Sequence, residues 1–151
     1  MFTFKEEEPS KFDFKIVRDL FNLGKPNETN NIKFIKPLIK TKILNKIDQL
    51  VEYIGSELVN IIKDVINGII KSPSINIQTP TTDSIWISIL NGTWGTWNGY
   101  VISCYFHEEK KHYAKTTGKL GIKISWANKN EWAVSKQTRG LYGNKTNYGT
   151  I

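Results

Sequence analysis

Apolar residues recur at spacings of three and four from Leu38 to Ile70 and at a spacing of two from Ile85 onward, and this change of period divides the chain. In the first stretch Leu38, Ile43, Ile47, Leu50, Ile54, Leu58, Ile62, Val65 and Ile69 mark one helix face, while Lys42, Lys46, Gln49, Glu52, Asn60, Lys63 and Asn67 fill the other. Pro37 suits a first helical turn and Ser72-Pro73 a stop. Gly55 and Gly68 lower helix propensity, and the pattern admits a break near Gly55. Upstream, Phe12, Phe14, Ile16 and Val17 to Leu20 fit a short strand or a helical turn equally well. Residues 73–84, rich in Pro, Ser, Thr and Asn, are expected as a linker.

Beyond the linker the runs 85–89, 100–105, 121–126 and 131–134 alternate, and Asn-Gly, Trp-Asn-Gly, Thr-Thr-Gly and Asn-Lys-Asn turns separate them. Four or five short strands with such turns predict a small antiparallel β-sandwich. The expected class is α+β: an N-terminal amphipathic helical segment over residues 1–72, the linker 73–84, and the β-sandwich domain 85–151. Alternation puts Trp126 on one face with Ile122 and Ile124, a pattern that predicts a core position, and Trp132 is expected to be buried beside Val134.

Charge sharpens the division. The formal net charge is +7. Residues 73–151 hold nine Lys or Arg against four Asp or Glu, so most of the excess lies in the strand-rich half. Such a surface attracts nucleic acid, anionic lipid or acidic wall polymers. One cysteine, Cys104, excludes an internal disulfide and a cysteine-based zinc cage. Residues 1–15 alternate Phe with charge and contain no apolar run of signal-peptide length.

The run Gly92-Thr93-Trp94 is followed by Ser103-Cys104-Tyr105-Phe106-His107-Glu108-Glu109-Lys110-Lys111-His112, then by Trp132-Ala133 and by Gly143-Asn144-Lys145-Thr146-Asn147-Tyr148. Over about residues 91–151 this series resembles the lactococcin 972 family of bacteriocins. It matches that family's Gly-Thr-Trp opening, its Ser-x-Tyr-x-His-x-x-Lys-x-His motif at Ser103, Tyr105, His107, Lys110 and His112, its Trp-Ala pair and its C-terminal aromatic strand. The chain departs from the family in the ninety residues that precede the β-domain and in ending on Ile151. The resemblance implies a β-sandwich secreted by the producer, which attacks septum and wall synthesis through the membrane-bound precursor lipid II without an enzymatic step.

Candidate contact residues are Trp94 and Trp97 in the Gly-rich loop, Tyr105, His107 and His112 in the motif, and Lys110, Lys111 and Lys115 around the turn after His112. The lysines, with Lys119 and Lys123, are expected as one basic cluster able to hold a pyrophosphate. His107 and His112 are read as partly exposed, hydrogen-bonding imidazoles that need not converge. No third ligand supports a metal site, no nucleophile or paired carboxylates support catalysis, and no cofactor is expected. Expected partners are lipid II or other anionic envelope components, with the membrane surface as a second partner. Nucleic acid ranks lower, since no RNP, KH or zinc signature accompanies the basic residues. A membrane-lytic toxin using the amphipathic helix is the alternative function, and a cell-retained binding module the third.

Overall fold

The computed structural model describes Lys5–Glu6 and residues 37–151. The Phe12 to Leu20 pattern lies outside these residues. The chain divides into a helical unit that ends at Pro73 and a β unit in which Ser74–Ile151 joins the short N-terminal strand. Helices and antiparallel strands therefore coexist as an α+β chain.

In the helical unit, α1 (Pro37–Asp48), α2 (Val51–Ile54) and α3 (Ser56–Ile66) follow one another. Gly55 interrupts the helical period at φ +90°, a conformation costly for any residue with a Cβ. The expected helix to Ile70 stops at Ile66, and Ile69 and Ile70 are exposed. Val59, Ile62, Val65 and Ile66 form the buried stripe of α3 at the spacing a helix face requires. Lys63 pairs with Asp48, bridging α3 and α1. Among the described residues no helix is long and apolar enough to cross a membrane.

The β unit contains β1 (Lys5–Glu6), β2 (Ile75–Gln78), β3 (Ser84–Gly92), β4 (Gly99–His107), β5 (His112–Gly118), β6 (Gly121–Ala127), β7 (Glu131–Thr138) and β8 (Lys145–Thr150). They form two antiparallel four-stranded sheets, ordered β1-β8-β5-β6 and β2-β3-β4-β7. The stretch expected as a linker thus supplies a strand. Ile75 to Gln78 pair with Ile89 to Trp86. Alternating Ile and amide residues suit a strand, and β2 lies at the edge of its sheet.

Side chains join the sheets. Trp86, Tyr105, Ala114, Ala133 and Tyr148 form one buried cluster, in which Tyr148 packs against Trp86 and Tyr105 with ring centroids 4.4 and 4.6 Å apart. Beside it the inward positions are polar. Trp86 Nε1 donates to Ser103 Oγ (3.0 Å), which donates to the Asn147 carbonyl (2.9 Å). Ser88 and Thr146 bond through their hydroxyls at 2.6 Å, and Thr116 and Ser135 at 2.8 Å. Each hydroxyl finds a partner, which offsets the cost of taking it out of water.

Two β7 side chains also reach β6. Ser135 Oγ donates to the Lys123 carbonyl and Gln137 Nε2 to the Gly121 carbonyl, both at 2.9 Å, while Gln137 Oε1 accepts from the Leu120 amide at 2.8 Å. The outward positions of β3 and β4, namely Ile85, Ile87, Ile89, Ile102, Cys104 and Phe106, are apolar and buried. Trp132 is buried against Phe106, at a centroid distance of 5.4 Å. Trp126 departs from expectation. Its strand face is open, with Ile122 63% and Trp126 37% exposed.

Candidate functional site

The residues proposed from the sequence separate into two groups at opposite ends of the β unit. Strand registers define the first end: His107 lies opposite both Ser84 and Glu131. The second end is defined by Gly92 opposite Gly99 and by Tyr100 opposite Thr138. β5 runs from one end to the other, and its seven residues span roughly 23 Å at 3.3 Å per residue.

At the first end the two histidines converge. His107 and His112 are buried, with ring centroids 6.2 Å apart, and the Tyr105 ring meets both edge-on at 6.1 and 5.4 Å. His107 Nδ1 accepts from the amides of Glu109 (3.1 Å) and Lys110 (3.2 Å), which closes the turn that carries the lysines. This requires the neutral ring, with its proton on Nε2, and Nε2 lies 3.8 Å from Asp83 Oδ1. Burial pushes the His107 pKa down, and the Asp83 carboxylate opposes that shift only in part. Asp83 itself is held below the usual carboxylate range, chiefly by the Thr81 hydroxyl at 2.5 Å. His112 places both ring nitrogens 2.7 Å from carbonyl oxygens, those of Lys110 and Glu131, tying the turn to the start of β7.

These contacts correct the expected exposure and placement. Tyr105, His107 and His112 are buried, where the histidines were expected to be partly exposed. Lys115 sits within β5 and is only 4% exposed, because the strand begins at His112 where a turn was expected. Lys110 and Lys111 are exposed at this end, but Asp83, Glu108, Glu109 and Glu131, all the carboxylates of residues 73–151, lie beside them. Lys111 Nζ stands 5.9 Å over the Trp126 ring. The ring nitrogens of both histidines are engaged, and no group of three metal-ligating side chains occurs among the described residues.

The second end gathers three connections: 93–98 between β3 and β4, Lys119-Leu120 between β5 and β6, and 139–144 between β7 and β8. Gly92 and Gly99 close the first at φ +117° and +130°. A Cβ on either would fall about 2 Å from a carbonyl oxygen, so only glycine fits the facing pair. The loop is held by Thr93 N–H to the Asn98 carbonyl (3.1 Å), Thr96 Oγ1 to the Thr93 carbonyl (2.7 Å) and Gly95 N–H to the Leu141 carbonyl (2.8 Å). Arg139 Nη1 donates to the Asn91 carbonyl at 3.2 Å, and Asn144 brackets Gly140 with two hydrogen bonds.

From this framework Trp94 projects at 78% exposure, Tyr142 at 74%, Leu120 at 71% and Trp97 at 48%. Lys119 Nζ stands 5.1 Å over the Trp97 ring. A cleft of about 200 Å³ opens between Trp97, Lys119, Leu141 and Tyr142 above Gly118 and Gly140. Segments 91–100, 117–123 and 138–146 carry Lys119, Lys123, Arg139 and Lys145 and no carboxylate.

No family model, curated protein or solved structure matches this chain. Trp94 and Trp97, expected as contact residues of the Gly-rich loop, lie exposed at this end. Sequence reasoning passed over Tyr142 and Leu120, whose only signals were a Gly-flanked aromatic in Gly140-Leu141-Tyr142-Gly143 and an apolar residue in a Lys-Leu-Gly turn.

Proposed function

We propose that this protein is a bacteriocin-like toxin whose β unit docks on the anionic envelope of a target bacterium, at the membrane-bound wall precursor lipid II, and blocks wall synthesis without an enzymatic step. The observation that carries the reading is the second end of the β unit: Trp94, Trp97, Leu120 and Tyr142 stand exposed on loop segments that also carry Lys119, Lys123 and Lys145, with the buried Arg139 beneath, and these segments contain no carboxylate. Exposed aromatics with lysines suit the interfacial layer of a membrane, where ring and headgroup meet, and cations there gain roughly 1 kcal/mol each against anionic lipid. The same cations match the pyrophosphate of a lipid-linked precursor. Two four-stranded antiparallel sheets with joined inner faces support a sandwich, the architecture implied by the resemblance of residues 91–151 to lactococcin 972. The contact surface in this reading is the loop end, and the turn after His112 serves to organise the opposite end.

The test is co-sedimentation of the full chain with phosphatidylcholine vesicles, with and without lipid II. Binding that requires lipid II supports the proposal. Absence of binding, or release of an entrapped dye from vesicles free of lipid II, replaces it with the membrane-lytic alternative or with a cell-retained binding module. Mass spectrometry of culture medium reports whether the chain is secreted, as the proposal requires.

A further inference from the structure

Resting on that reading of the loop end, we infer that the cleft between Trp97 and Tyr142 is a subsite for a single sugar phosphate, with the pyranose ring against the Trp97 face and the phosphate beside Lys119. Size comes first. A cleft of about 200 Å³ lies below the roughly 300–1,000 Å³ of sites for drug-sized ligands, and so admits one ring with its substituent. Its floor is backbone. The Lys119 amide donates to the Thr138 carbonyl at 3.0 Å, and a Cβ on Gly118 would lie 2.8 to 2.9 Å from that carbonyl oxygen and the Gln137 amide. Two connections thus meet main chain to main chain beneath the cleft.

The walls are amphipathic. Trp97, Leu141 and Tyr142 line the cleft and offer apolar surface to the C–H face of a ring, and Tyr and Trp each carry a polar group able to hydrogen-bond a sugar hydroxyl. Charge is complementary to phosphate, because Lys119 lines the cleft and the three loop segments contain no carboxylate. Preorganisation favours capture of a small ligand, since Gly95 N–H to Leu141 O couples the Trp97 loop to the Tyr142 loop before anything binds.

Two sources share this chemistry: the sugar-pyrophosphate head of a lipid-linked precursor and the repeating sugar phosphates of a wall polymer. The experiment titrates the full chain with N-acetylglucosamine 1-phosphate, following tryptophan fluorescence, with neutral N-acetylglucosamine as the comparison. Saturable binding, at least several-fold tighter for the phosphate, is expected. Trp97→Ala should weaken it roughly tenfold, as deletion of an aromatic anchor does, and Lys119→Gln should remove the preference for phosphate. Trp126→Ala, at the exposed strand face away from the cleft, should leave the affinity unchanged. Equal binding by wild type and Trp97→Ala, or no preference for phosphate, overturns the inference. Binding to lipid II vesicles without binding to the sugar phosphate also overturns the subsite, while the envelope reading stands. Competition by lipid II, but not by isolated wall polymer, would assign the subsite to the precursor, and the reverse to the polymer. Either result supports it.

Discussion

His107 accepts two backbone amides on Nδ1, and a proton there would turn an acceptor toward two donors. Its pKa is lowered from 6.5 by burial, so the folded state binds fewer protons than the unfolded one as the pH falls below that value. The contribution to stability is complete above pH about 6.5 and is lost as the pH falls through the folded pKa. Urea midpoints of the full chain should therefore decline between pH 7.5 and 5. His107→Asn, whose Oδ1 can accept the same amides without titrating, should flatten that decline, and an unchanged slope would place the pH dependence elsewhere. Trp132→Ala removes a buried ring packed on Phe106 and should cost roughly 3–5 kcal/mol in denaturant unfolding, whereas a loss under about 1 kcal/mol would mark the site as able to collapse. Cys104 is buried, and burial pushes its thiol pKa up, so alkylation by iodoacetamide should proceed only at the rate of unfolding. Rapid labelling of the native protein would show an opening that reaches the β3–β4 sheet.

At the scale of elements, four strands were legible because β3, β4, β6 and β7 alternate clearly. β5 and β2 were not. The sequence His112-Tyr113-Ala114-Lys115-Thr116-Thr117 hides its period because its inward positions include Ala114 and Thr116, which satisfy the core by size and hydrogen bonding instead of hydrophobicity. β2 reads as linker because Asn76 and Gln78, both buried, dilute two isoleucines. Alternation located β6 yet misjudged which face is covered, since period alone carries no information about the neighbour. Trp94 and Trp97 were legible as loop aromatics, while the lysines, close in sequence, were separated by a strand no one-dimensional pattern revealed. The recovered β2 also changes where the chain can be cut. A fragment 81–151 lacks the strand that pairs β3 and should give a collapsed, undispersed amide spectrum. A dispersed one would show β2 to be dispensable.

Over residues 73–151 the four acidic side chains, Asp83, Glu108, Glu109 and Glu131, gather at one end of the strands and Lys119, Lys123, Arg139 and Lys145 toward the other, so this stretch carries a charge moment as well as a net charge. Envelope binding should weaken as the screening length contracts from about 10 Å at 0.1 M salt to about 3 Å at 1 M. Reversing Lys119 and Lys145 to Glu should weaken vesicle co-sedimentation far more than reversing Lys110 and Lys111, and equal losses would mean that net charge alone matters. The hydrogen bonds from Ser135 and Gln137 to the carbonyls of Lys123 and Gly121 bear on survival at high concentration. A sheet margin with vacant acceptors can template a second chain, and successive additions make a fibril. On β6 those two acceptors are already occupied from within the same molecule, which disfavours growth from that margin and keeps a strand-rich protein dispersed.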